Sequence, residues 1–164
     1  MIQTGILKYR ENSIHVTRMG QGKELLFAFH DFNHGVELFK PIANELSKKY
    51  TIIAIDLPGF GQSEWKDKVI DKEALVTIIE RFKLEFKVDK FDILAQGLGS
   101  LFALTLIEQR AEWIRKVLLF DPEGMRRASW MRIATKHFMT KNRVKKAAEF
   151  PEQREKIINQ LAGW

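Results

Sequence analysis

Apolar residues in this chain follow two different periods. At residues 25–29 and 51–55 they run almost without interruption, as Leu-Leu-Phe-Ala-Phe and Thr-Ile-Ile-Ala-Ile. Such runs are the pattern of strands buried on both faces. Residues 91–95 and 116–120 read the same way. Between these runs the spacing is helical. Over 36–50 the apolar positions are Leu38, Phe39, Ile42, Ala43 and Leu46. Asp71 can cap a second helix reaching about residue 86, with Leu75, Ile78, Ile79 and Phe82 on its inner side. A third helix is predicted over 98–110. Ahead of all this, residues 5–10 and 13–19 read as two short strands joined at Glu11-Asn12. The alternation predicts an α/β fold, a mostly parallel sheet with helices on both faces and an antiparallel edge supplied by the hairpin. No internal repeat or low-complexity stretch interrupts it.

Composition narrows the chemistry. The 164 residues include no cysteine, which excludes disulfides, thiolate metal sites and cysteine nucleophiles. The longest apolar runs are strand-sized, too short to span a bilayer. Residues 1–5 carry neither the charged start nor the apolar stretch of a secretory signal. A cytoplasmic location is the expectation. The net charge of +6 invites a nucleic-acid reading, but it is unevenly placed. Residues 126–164 hold 10 of the 27 basic residues and 3 of the 21 acidic ones. That segment carries +7 and residues 1–125 carry −1, so the two are expected to have different jobs. The boundary falls near Gly124, just past Asp121-Pro122-Glu123.

Chemistry in folds of this kind gathers at strand ends, and three turns there carry motifs. Phe29-His30-Asp31-Phe32 follows the first buried strand. Asp56-Leu57-Pro58-Gly59-Phe60-Gly61-Gln62-Ser63 follows the second. Ala95-Gln96-Gly97-Leu98-Gly99-Ser100 lies between a buried strand and an apolar helix. Taken together over residues 5–125, the three turns resemble the layout of the α/β-hydrolase family. The first is similar to the family's His-Gly-x turn, with Asp31 where glycine is usual. The second matches the family's Asp-x-Pro-Gly-x-Gly-x-Ser loop at every position. The third resembles the nucleophile elbow, Gly-x-Ser-x-Gly, with Gly97 in the serine position.

The resemblance implies an oxyanion hole made by the backbone N–H groups of Phe32 and Leu98. These donors need no side chain, so the Asp31 replacement is expected to leave the first intact. The residue at His30 would sit structurally beside the substrate site. Read locally, the first turn can equally be a polar loop capping the next helix. Ser63 reads as a loop hydrogen-bonder, and Ser100, in the first helical turn past the elbow, as a packing or backbone-bonding residue. Asp121 follows the last recognisable strand and is the candidate acid; the alternative is that it opens a turn with Pro122. None of His15, His30, His34 and His137 stands where the general base should come from. No residue spacing suggests a metal or cofactor.

Residues 126–164 resemble in position the helical cap that commonly follows this strand in the family. Trp130, Ile133, Ala134 and Phe138 form one apolar stripe, and Trp130, Ile133 and Phe138 are the candidate substrate-lining residues. Plain helix packing and binding to an anionic membrane surface are competing readings; nucleic acid ranks last. The resemblance thus implies hydrolysis of an ester or related acyl bond in a small apolar substrate. Against it stand the missing nucleophile side chain and the absence of later strands to carry a histidine. Three explanations are open. The chain is part of a hydrolase completed by a C-terminal region or a partner, it is a non-catalytic relative that binds a ligand or partner, or Gly97 was introduced on purpose in place of a serine. Gly97→Ser alone is expected not to restore triad-level activity.

Overall fold

The computed structural model describes residues 2–67 and 70–123. The segment 126–164, with Trp130, Ile133 and Phe138, lies outside the described residues, as does the proposed boundary at Gly124.

Strands β1 (Ile2–Tyr9) and β2 (Asn12–Met19) form the opening hairpin, turning at Arg10, which takes a left-handed φ of 52°. They are followed by β3 (Glu24–Phe29), helix α1 (Lys40–Leu46), β4 (Tyr50–Ile55), α2 (Lys72–Phe86), β5 (Phe91–Gln96), α3 (Gly99–Arg110) and β6 (Ile114–Phe120). The strands make one six-stranded sheet in the order β1-β2-β4-β3-β5-β6. Strands β4, β3, β5 and β6 run parallel, while β1 and β2 add antiparallel at one edge. The predicted sheet, its three helices and its antiparallel edge are all present. Every predicted strand is recovered, most with bounds a residue or two wider.

The first helix differs most from expectation. It begins as a 3-10 turn, Val36–Phe39, and becomes α-helical only where Pro41 is tolerated in the first turn. Its inner side is correspondingly narrow. Val36, Phe39 and Ala43 are buried, whereas Ile42, placed on the inner stripe by its spacing, is 42% exposed. Helix α2 follows the pattern closely. Asp71 accepts a hydrogen bond from the Ala74 N–H, and Leu75, Ile78, Ile79 and Phe82 are all buried.

The sheet's two faces bury unequal cores. Helices α2 and α3 cover one face over Phe27, Phe29, Ile53, Ile93 and Ala95. There Phe27 meets Phe82 and Phe91 edge-on. Helix α1 covers the other face over Leu26, Ala28, Ile52, Ala54 and Leu94. Because β3 feeds α1 on one face and its neighbour β5 feeds α3 on the other, the chain parts between them. Their carboxyl ends therefore flank a crevice at the topological switch point. Among the described residues no helix is long and apolar enough to cross a membrane.

Candidate functional site

The crevice is framed by the turns after β3, β4 and β5, and a buried carboxylate ties the first two together. Asp56, 2% exposed, accepts the Val36 N–H on Oδ1 at 2.7 Å and the Gln62 N–H on Oδ2 at 2.9 Å. The same Oδ2 meets His15 Nδ1 at 2.8 Å. An ionised carboxylate only accepts, so that imidazole nitrogen donates. Ser63 Oγ donates to the Asp56 carbonyl at 2.7 Å and accepts the His15 N–H at 2.8 Å. A serine, a histidine and an aspartate thus lie together, but the hydroxyl bonds backbone rather than the ring. This is a fastening for the loop after β4.

His30 is the second fastening. It is fully buried. Its Nε2 accepts the Leu57 N–H at 2.8 Å, and its Nδ1 lies 2.7 Å from the Asp31 carbonyl, to which it must donate. The ring is therefore the neutral Nδ1–H tautomer. Burial pushes its pKa below the ordinary histidine value, opposed by the hydrogen bond to Asp31 and the charge of Asp56. Expected beside the substrate, His30 exposes no atom to the crevice. It joins the turns after β3 and β4 instead.

The elbow after β5 is built on two glycines. Gly97 has φ of +50°, a left-handed conformation that glycine adopts freely and serine does not. Gly99 brings the start of α3 against β3, where an added Cβ would lie 2.4 Å from the Phe29 carbonyl oxygen. The elbow is also tied to the end of β6. Gly97 donates its N–H to the Phe120 carbonyl and accepts the Glu123 N–H. The exposed Asp121, with φ of 44°, sits in that connecting turn. Ser100 Oγ is buried and has no hydrogen-bond partner among the described residues, so it serves packing.

Asp31 is the residue that the sequence did not reveal. Its Oδ1 accepts the Phe32 N–H at 2.7 Å and the Leu98 N–H at 2.8 Å. These are the two donors that the resemblance assigns to an oxyanion hole. Both N–H groups are taken by a carboxylate of the chain itself. A helix N-terminus and two convergent N–H groups suit an anion, so the arrangement is electrostatically sound. The same carboxylate fills the space above Gly97. A Cβ there would lie 1.9 Å from Oδ1 and 2.1 Å from Cγ of Asp31. Phe32, 40% exposed, and Phe60 stand beside it with ring centroids 5.5 Å apart. The available signal was the coincidence of two departures from one motif set, an acid at 31 and a glycine at 97. Considered separately, neither shows that one side chain has moved into the other's place.

Among the described residues no group of histidines and carboxylates could hold a metal ion. Residues 25–163 match the profile of a family described as alpha/beta hydrolase fold. Over 100 residues the chain is 35% identical to a pimeloyl-[acyl-carrier protein] methyl ester esterase of Legionella pneumophila, covering 60% of this chain and 38% of that protein. An uncharacterised hydrolase of Bacillus subtilis, YugF, is 29% identical over 104 residues, 63% of this chain and 38% of its own. The chain thus spans about two fifths of the length of these relatives. Among solved structures, the epoxide hydrolase CorEH superposes with a TM-score of 0.71 at 17% identity, over 94% of this chain and 54% of that one. A haloalkane dehalogenase of Agrobacterium tumefaciens superposes with a TM-score of 0.62 at 21% identity, over 74% and 41%. At these identities the structural likeness is one of fold.

Proposed function

Since this chain belongs to the α/β-hydrolase family, we propose that it is a member whose crevice binds a ligand or partner without performing serine acyl transfer. The observation that carries this reading is the double hydrogen bond from Phe32 and Leu98 to Asp31 Oδ1. Acyl transfer needs a hydroxyl at the elbow and vacant donors for the developing oxyanion. Here residue 97 has no side chain and the donors are already engaged. His15 and His30 are committed to buried bonds. In this reading Asp121 belongs to a turn rather than to a triad. A panel of p-nitrophenyl esters tests it. The expected result is no release above the buffer rate, and saturable turnover with an initial acyl-enzyme burst would overturn it.

A second reading is favoured by β6. Leu118 and Phe120 pair in register with Leu94 and Gln96, on the α1 face, yet remain 56% and 52% exposed. Further polypeptide joining at this strand would cover them. In that case hydrolysis belongs to a larger assembly, and the likeness to a pimeloyl-[acyl-carrier protein] methyl ester esterase supports an acyl ester as its substrate class. The length of the native gene product decides between the two.

A further inference from the structure

A crevice whose two N–H donors are free takes a ligand through an acceptor, such as a carbonyl or a carboxylate. Here Asp31 has consumed that capacity. Its Oδ1 uses both donors, and what it presents in exchange is Oδ2, to which no hydrogen bond is made among the described residues. The polarity of the crevice is thereby reversed, from donor to anionic acceptor. The neighbouring turns reinforce this. Residues 30–35, 57–63, 97–99 and 121–123 contain no lysine or arginine, and the last of these segments carries Asp121 and Glu123. The turn carrying those two acids is bonded directly to the elbow, through Glu123 N–H to the Gly97 carbonyl and Gly97 N–H to Phe120. Beside Asp31, Phe32 offers a part-exposed ring set edge-on to Phe60. A carboxylate next to aromatic faces is a setting for a cation with an apolar body.

We propose that this crevice selects an organic ammonium carried on an apolar group, and rejects the carboxylates and carbonyl compounds that open N–H donors would favour. The proposal deepens the non-hydrolytic reading above and rests on it. It uses Asp31 as the ion-pairing group, Phe32 and Phe60 as the apolar contact, and Gly97 as the residue whose missing side chain leaves room for the carboxylate.

The experiment uses the full chain, labelled with nitrogen-15 and titrated with an isosteric pair, benzylammonium and benzoate, at one ionic strength. The Phe32 and Leu98 amide signals are followed. Benzylammonium is expected to give saturable shifts in the millimolar range typical of so small a ligand, at least tenfold tighter than benzoate. Asp31→Asn, which keeps the shape and removes the charge, is expected to lose that preference at least tenfold. Asp31→Gly is expected to reverse it, since its vacated N–H groups can take benzoate. Equal or tighter binding of benzoate by the unaltered chain would overturn the proposal. So would the absence of saturable benzylammonium binding, or an Asp31→Asn variant that binds it unchanged. Ester turnover is a separate readout, so the non-hydrolytic reading and the cation preference can fail independently.

Discussion

Asp31 and Gly97 occupy one space: the carboxylate of the first stands within 1.9 Å of where any side chain on the second would begin. The two residues are 66 positions apart by their numbers and meet only because β3 and β5 are neighbours in the sheet. Gly97→Ser is therefore expected to do more than add a hydroxyl. It places a Cβ at a left-handed φ, costing about 1–3 kcal/mol, and it expels Asp31 from both N–H donors. Restoring glycine at 31 removes the collision. The Asp31→Gly, Gly97→Ser double variant should be more stable than the sum of its parents implies, by about 1–3 kcal/mol in a urea denaturation cycle. Strict additivity would mean that the two sites do not share that space in solution.

Asp56 is expected to be the most sensitive polar residue of the described crevice. Its carboxylate receives two backbone N–H groups and an imidazole while almost wholly buried. Asp56→Ala leaves those three donors without acceptors, each costing on the order of 1–3 kcal/mol, and should leave the chain at or below the limit of stable folding. Asp56→Asn retains one acceptor oxygen and should fall between. Amide exchange at Val36 and Gln62 separates this from a general loss of stability. In the asparagine variant those two amides should exchange faster than those of β5.

The sheet was legible because parallel strands buried on both faces must be largely apolar, and 25–29, 51–55 and 91–95 are, interrupted by Thr51 and Asp92 alone. Helix α2 was legible for the same kind of reason, a strong cap followed by regular spacing. The outward turn of Ile42 was not, because a 3-10 start rotates the following helix by an amount that residue spacing does not record. The loop motifs located the crevice, since glycine, proline and aspartate there meet local backbone demands. The state of the crevice was hidden for a different reason. Whether an N–H is open or engaged depends on a side chain far along the chain, and the contact of Asp31 with Leu98 is tertiary. His30 was likewise placed beside a substrate by resemblance, while its burial follows from how the β3 and β4 turns close upon each other.

The neutral state of His30 gives the fold a definite acid sensitivity. Its folded pKa lies below the ordinary value of 6.5, because burial disfavours the cation. The unfolded chain therefore binds a proton that the folded chain refuses, and stability falls as pH drops below about 6.5. The contribution is fully present above that pH. It is lost at up to about 1.4 kcal/mol per pH unit until the folded pKa is reached. Urea midpoints at pH 7 and pH 5 check the sign. In His30→Gln, which can still bond in both directions, the difference between those midpoints should shrink. A midpoint that rises on acidification of the unaltered chain would contradict the neutral tautomer.

The opposite end of the sheet carries its own buried charge. Asp92, 3% exposed on the α1 face of β5, receives Arg115 Nε at 2.8 Å, Arg115 Nη2 at 2.9 Å and the Tyr50 hydroxyl at 2.8 Å. Burial alone would raise its pKa, but the hydrogen bonds from Arg115 and Tyr50 more than offset this and hold it below the usual carboxylate range. Arg115 also reaches Glu24, so β6 is joined through one guanidinium to β5 and β3. Arg115→Met leaves the Asp92 carboxylate buried with Tyr50 as its remaining hydrogen-bond donor. Removing one partner of a fully buried ion pair costs about 3–5 kcal/mol, and the part-exposed guanidinium should bring this loss to the lower end or beneath it. The Arg115→Met, Asp92→Leu double variant removes the stranded charge and should recover much of that loss. A double variant no more stable than Arg115→Met would mean that Arg115 supports β6 by packing and by Glu24 rather than by neutralising Asp92.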